Sequence, residues 1–302
     1  MDKKLATKTL AAAIVSHTFW GFSFIASRTA LDTADVFVLL SHRFLLAFLV
    51  MSAVMLIRSI KVRLFGKRFY LLILLGLAEP VLYFFGEQYG ILHSSTIFSG
   101  VMIAMIPIVS TLAAAPLLKE KPTALQLVFS ALSVCGVIGI GLMSRSSGRL
   151  DIIGVLALLL AVVSAAAYTL LGRGISKEYT PFERTYMMLT IGAFVFTLLA
   201  AIGVKGDVRA YLQPFKTLSY TLSVIFLGCC CSVISYFLVS YAITHLSVAQ
   251  ATVFANLTTA VSVFAGAVLL GEPFSWTGLL FCLMILLGIY GVQRFSRERT
   301  GK

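Results

Sequence analysis

Apolar residues run in blocks of about 20 along the whole chain, the length a helix needs to cross a bilayer core. Short polar stretches divide the blocks, which fall at residues 9–30, 36–57, 69–91, 94–118, 123–143, 150–172, 184–204, 217–243, 246–270 and 275–294. Polar residues inside them recur at helical spacing: Glu79, Tyr83, Gly86, Glu87 and Gly90 share one face of the third block, and Thr252, Asn256 and Thr259 one face of the ninth. The pattern predicts an all-α polytopic membrane protein of ten transmembrane helices. The longest polar stretch, Lys205 to Lys216, is short and interrupted by apolar residues, so no separate soluble domain is expected. The opening Met-Asp-Lys-Lys before an apolar run mimics a signal peptide, but His17 and Arg28 interrupt that run, and it reads as a retained helix.

The chain also repeats itself. From Ile73 to Arg145, a shift of 152 residues lands without a gap on a related residue, and about 23 of 73 paired positions are identical. Gly76 matches Gly228, Tyr89 Tyr241, His93 His245, Ser95 Ser247, Glu120 Glu272, Gly136 Gly288 and Gly139 Gly291. The reading is a duplication into two five-helix units, residues 1–147 and 148–302, forming one membrane domain. Five is odd, so the second unit enters the bilayer from the opposite side and the repeat is inverted.

Composition agrees with lipid as the solvent: 59% of residues are hydrophobic and 12% charged, against about 25% charged in soluble domains. The net charge of +12 matters through its distribution. Lys3, Lys4, Lys8, Arg58, Lys61, Arg63, Lys67, Arg68, Lys119, Lys121, Arg173, Lys177, Arg184 and the tail from Arg294 to Lys302 fall on one side. Arg145, Arg149, Lys205, Arg209 and Lys216 fall on the other. Cytoplasmic loops retain cations, which puts both termini in the cytoplasm of a bacterial-type plasma membrane. The basic tail could touch anionic lipid heads; charge spread over loops does not make a nucleic-acid surface.

Cys135, Cys229, Cys230, Cys231 and Cys282 all lie in apolar blocks and none has zinc-site spacing, so no metal and no disulfide framework is expected. His17, His42, His93 and His245 occur singly, outside any HExxH frame, and no Gly-rich phosphate loop is present. No cofactor and no enzymatic chemistry are expected.

Trp20-Gly21, Arg43-Phe44 followed by Leu46-Ala47, the stretch from Tyr89 to Pro107, and above all Leu118-Lys119-Glu120-Lys121 and Leu270-Gly271-Glu272-Pro273, each followed 16 residues later by Gly136 or Gly288, form a set. In these residues the chain resembles the EamA-like families of the drug/metabolite transporter (DMT) superfamily. The resemblance covers nearly the whole chain and implies ten helices in two inverted repeats around a central cavity lined by helices 1, 3, 4, 6, 8 and 9. The signatures also have a physical account. Glu120 and Glu272 put a carboxylate near the positive end of a following helix, Pro122 and Pro273 can occupy first turns, and the Gly136/Gly139 and Gly288/Gly291 pairs permit close helix contact.

Candidate chemistry lies where the two copies differ. Glu79, beside Pro80, sits near the middle of helix 3, and its mate is Cys231. A charge at the bilayer centre costs about 2.5 to 3.5 kcal/mol on the lenient insertion scale, so Glu79 must face protein or water. That makes it the proton-coupling candidate; a hydrogen-bonded packing role is the alternative. At 1.5 Å of rise per residue, His17, Glu79 and Asn256 share a level, with Trp20 close by and Ser232, Tyr236, Ser164 and Tyr168 approaching it. The candidate substrate-binding set is His17, Trp20, Phe24, Glu79, Tyr83, Ser164, Tyr168, Ser232, Tyr236, Thr252, Asn256 and Thr259. Trp20, Phe24, Tyr83, Tyr168 and Tyr236 could form an aromatic cage. Arg43 and Glu87, at neighbouring depths, could pair as an outer gate or as a brace; His42 stays unexplained. Pro80 and Pro107, with Gly86, Gly90 and Gly100 nearby, mark hinges.

These features point to a secondary transporter moving a small organic solute, an amino acid or related metabolite going outward, by alternating access. Its partners are that solute, protons and the lipid bilayer. One chain can close its own cavity, so a monomer suffices, while a homodimer stays open. Multidrug efflux of cationic compounds is the alternative; a membrane enzyme or assembly subunit fits less well, lacking paired polar residues at the interface depth and leaving Glu79 without a use.

Overall fold

The computed structural model describes residues 3–62, 68–93, 102–103, 105–143, 152–269 and 276–295, and the regular structure there is helical. In order these are α1 (Lys3–Leu31), α2 (Val36–Ile57), α3 (Phe69–Gly76), a π segment Leu77–Leu82, α4 (Tyr83–Leu92), α5 (Ile106–Leu118), α6 (Ala124–Met143), α7 (Ile152–Gly174) and α8 (Pro181–Gly203). They continue with α9 (Val208–Leu212), a short tight turn Gln213–Lys216, α10 (Leu218–Ile225), a second π segment Phe226–Ile234, α11 (Ser235–His245), α12 (Val248–Thr252), α13 (Ala255–Leu269) and α14 (Trp276–Arg294).

Among the described residues, 7 helices are long and apolar enough to cross a membrane, the third being Phe69–Glu87 and the sixth Leu218–His245, each continuous through its π segment. Shorter apolar helices, Ile106–Leu118, Ala124–Gly139 and Val248–Val261, fall on the remaining predicted blocks. Large apolar side chains such as Leu74, Leu156, Phe194, Leu198, Leu222 and Leu287 stand on the outer surface, where contiguous apolar area of this kind requires a non-aqueous surround. The chain is a multi-pass membrane protein.

Local signals set the ends. Asp35 caps α2 through Phe37 N at 2.9 Å, Thr180 and Glu183 form a capping box ahead of Pro181 at the start of α8, and Ser247 with Gln250 does the same for α12. Lys119 closes α5 in the left-handed conformation (φ 58°).

Contacts across the bundle sort the ends. Arg68 pairs with Glu178 at 3.2 Å and Thr123 Oγ1 donates to Phe295 O at 3.1 Å, both at the end that carries the two termini. At the opposite end Ser41 bonds Tyr211 at 2.7 Å and His42 bonds Tyr220 at 2.7 Å.

The closest helix contact joins α6 and α14 reciprocally. Gly136 and Gly139 approach Phe281 and Ile285, while their repeat mates Gly288 and Gly291 approach Phe129 and Ser133, which are the mates of Phe281 and Ile285. None of the four sites has room for a Cβ, so small residues let these backbones meet as membrane packing requires.

The helices bend at related places. The π segments Leu77–Leu82 and Phe226–Ile234 overlap when shifted by the 152-residue repeat. In the first, Glu79 leaves helical geometry altogether (φ −143°, ψ 121°), and the ring of Pro80 packs into the space left by Gly192 of α8. In the second, Gly228 lies against Leu46 and the Arg43 carbonyl of α2.

Candidate functional site

The break in helix geometry at Glu79 turns its side chain toward α11. The carboxyl is 8% exposed and accepts a hydrogen bond from the Tyr236 hydroxyl at 3.0 Å. Around that pair the rings close up: Trp20 lies edge-on to Tyr236 at 5.2 Å, His17 edge-on to Trp20 at 4.9 Å, and Tyr168 edge-on to Tyr236 at 6.3 Å. Edge-to-face contacts at these separations are favourable and hold the rings in register. The indole is fixed further by its Nε1 donating to the Cys231 carbonyl at 2.8 Å, a group that the second π segment leaves available to a neighbour. Five predicted residues, His17, Trp20, Glu79, Tyr168 and Tyr236, thus form one continuous cluster drawn from α1, α7, α11 and the first π segment, all buried except the half-buried Trp20.

A second group lies beside it. Arg43 donates from Nε to Ser232 Oγ at 2.8 Å, and its guanidinium lies over Phe84 (5.1 Å) and Phe44 (5.4 Å). Tyr83 packs edge-on against Phe84 at 5.2 Å and donates its hydroxyl to Glu87 at 2.9 Å. The expected Arg43–Glu87 ion pair is not formed. Glu87 instead accepts from Tyr83, four residues earlier on the same helix face, and Arg43 turns to Ser232.

The remaining predicted residues are placed as follows. Ser164 is buried on α7, and Thr259 lies on α13. Thr252 bonds the Val248 carbonyl of its own turn at 2.8 Å. Asn256 is buried and donates to Ser133 of α6 at 3.0 Å, so its amide joins α13 to the scaffold helix. Val253 and Phe254 form a turn between α12 and α13, with Val253 still in right-handed helical conformation. Pro107 stands at the first turn of α5, where its missing donor costs nothing. The side chains of Phe24 and Arg28, residue Gly100, and the Leu270-Gly271-Glu272-Pro273 signature lie outside the described residues.

Three arrangements were not foreseen. Arg184, 1% exposed, donates to the carbonyls of Gly172 (2.6 Å) and Ser240 (2.7 Å) and to the Thr244 hydroxyl. Arg173 donates to the carbonyls of Ile243 (3.0 Å) and Thr244 (2.6 Å). Both had counted as loop cations; the signal in the sequence was their position at the last turn of one apolar block and the first of the next, where arginine can satisfy orphan carbonyls. Glu120 meets a helix N-terminus as expected, but it is that of α12: its carboxylate accepts from Val248 N at 2.8 Å and from Arg173 Nε at 2.8 Å. His42 joins an aromatic cluster at the opposite end, with Tyr211 at 4.3 Å and Phe215 at 4.5 Å.

Among the described residues no group of three metal-ligating side chains occurs. The bundle thus buries a carboxyl group, an arginine and edge-packed rings between helices distant in sequence. Residues 7–142 and 152–294 match the EamA-like transporter family, and the chain belongs to it and through it to the drug/metabolite transporter superfamily. It is 32% identical over 305 residues to the uncharacterized transporter YcxC of Bacillus subtilis, covering 99% of this chain and 97% of that one. It is 29% identical over 219 residues to a probable terminal-alkyne amino-acid exporter of Streptantibioticus cattleyicolor, covering 71% and 69%. A solved crystal structure shares the fold with a TM-score of 0.79 at 16% identity, over 98% of this chain and 99% of that one.

Proposed function

We propose that this transporter is a secondary carrier that exports an amino acid or a related small metabolite by alternating access, with Glu79 as the group that exchanges a proton. The carrying observation is the buried Glu79–Tyr236 hydrogen bond at a helix break, walled by Trp20, His17 and Tyr168. A carboxyl group this deep is expensive and has a use only if something binds it. The break supplies a place to bend, since the residues below and above it belong to separate helical segments. The overlap of the two π segments and the reciprocal α6–α14 contact support two inverted five-helix units with both termini cytoplasmic, in a bacterial-type plasma membrane. The relative named as an amino-acid exporter favours that substrate class.

The test is transport of labelled amino acids into inside-out vesicles across a pH series, in wild type and Glu79→Gln. The carrier reading expects uptake in wild type and a flat pH response in the variant; an unchanged pH response in Glu79→Gln sinks the coupling role. Efflux of flat cations is the second reading, favoured by the carboxyl group beside stacked rings. Equal accumulation of a fluorescent cation in cells with and without the protein would count against it.

A further inference from the structure

Arg43 has more charge than its surroundings use. The residue lies seven positions into α2, well inside the predicted span, and is 5% exposed. Its one hydrogen bond among the described residues is from Nε to Ser232. The planar face is covered by Phe84 and Phe44, which leaves the Nη edge, four N–H donors in a fork. Among the described residues no protein acceptor meets that edge. Its Nη nitrogens are not among the polar atoms sealed in protein without a partner, which belong to His42, Ser110, Thr111, Arg173, Arg184 and Gln293 among the described residues. Arg173 and Arg184 differ from it: Arg173 donates from Nη1 to two carbonyls, and Arg184 donates from both Nη nitrogens to backbone carbonyls.

A guanidinium set over two rings, anchored at Nε and open at its fork, matches a carboxylate in plane and spacing better than any other small group. Glu79 and Glu87 are the carboxylates within electrostatic reach of Arg43, and neither makes an ion pair with it. Glu87 is occupied by Tyr83 and Glu79 by Tyr236. A membrane-buried cation without an anion is unfavourable until one arrives, so the open fork favours a solute that brings its own negative group.

We propose that Arg43 is the receptor for the carboxylate of the carried solute, with Ser232 fixing its orientation, and that Glu79 across the same space receives the solute's amine. This rests on the amino-acid reading above and narrows it: the cargo presents a free carboxylate and an amine together, and neither an amine alone nor an ester substitutes for it.

The experiment compares thermal shifts of the detergent-purified full chain with L-threonine, L-cysteine, L-leucine and L-phenylalanine, their methyl esters, and the amines that lack the carboxyl group, since ligands of the folded state raise its melting point by mass action. At least one free amino acid should bind on the order of tenfold or more tightly than its ester and amine, the range expected for a charge-assisted pair left unmade. Arg43→Gln should remove that preference while ester binding stays at its wild-type level. Should Arg43→Gln not fold, Arg43→Lys, which keeps the charge and loses the fork, should weaken the acid and leave the ester unchanged. Equal binding of acid and ester by wild type, or a preference that survives Arg43→Gln, overturns the assignment and leaves the carrier reading standing. A wild type that binds no acid, whether or not it binds a cationic dye, removes the amino-acid reading and this assignment with it.

Discussion

The two π segments occupy related positions in the two halves and carry opposite chemistry. In the first half, Glu79 breaks helical geometry and presents a buried carboxyl to Tyr236. In the second, the mate Cys231 sits fully buried among Ala30, Leu39, Tyr220, Val224 and Leu227, its thiol directed at the Phe19 carbonyl at 3.4 Å. There the widened turns run between residues in ordinary helical conformation, Ile225 and Ser235. The carbonyls they free are taken by Trp20 at Cys231 and by Ser235 at Cys230, both at 2.8 Å. The π segment is therefore common to both halves, and the side chains placed on it differ: a buried carboxyl in one, a buried thiol in the other. Pro80 shows the same division, because its mate Ser232 orients Arg43.

The largest test moves the carboxyl to the other bend. Cys231→Glu would bury a carboxyl in an apolar cluster, with Arg43 the one cation in electrostatic reach among the described residues, at a cost of about 3 kcal/mol if no ion pair forms, whereas Glu79→Cys leaves one tyrosine hydroxyl without its acceptor, about 1 to 3 kcal/mol. Melting of the purified proteins should show the greater loss in Cys231→Glu. Equal losses would mean that the two bends are not differentiated as described.

A smaller effect is expected where the halves are alike. Gly136→Leu and Gly288→Leu should each destabilise by about 1 to 3 kcal/mol through overpacking of α6 against α14. The two values should agree within experimental scatter, because each glycine faces the repeat mates of the residues that face the other. A twofold difference in lost melting temperature would break the reciprocity. The smallest effect sharpens the role of the first bend. Tyr236→Phe keeps the ring contacts and deletes one hydrogen bond to Glu79, for about 1 kcal/mol. It should shift the pH response of transport while leaving the melting point nearly unchanged; a Tyr236→Phe carrier with the wild-type pH response would make that hydrogen bond merely structural.

Much of the frame was readable in the residues. Block length, the 152-residue offset and the paired glycines of α6 and α14 rest on local composition, and so does the isolation of Glu79 in one half. The site was readable as a set of depths: His17, Trp20, Glu79, Tyr168 and Tyr236 do meet. Partners were harder. Arg43 takes Ser232 instead of Glu87, Asn256 reaches Ser133, and Glu120 crosses to α12 instead of capping the helix that follows it.

The sequence by itself determined that this chain lives in a bilayer, that it carries the carboxyls of Glu79 and Glu87 and the guanidinium of Arg43 inside apolar blocks, and that glycine seams hold its helices close, since hydrophobic length and small-residue spacing are properties of a segment alone. The tertiary structure alone decided which buried groups meet. One extra residue in a π turn rotates everything beyond it by about 100°. Such rotations are stabilised by contacts between helices distant in sequence, of Pro80 with Gly192 and of Gly228 with Leu46, and a periodicity read within one segment cannot register them.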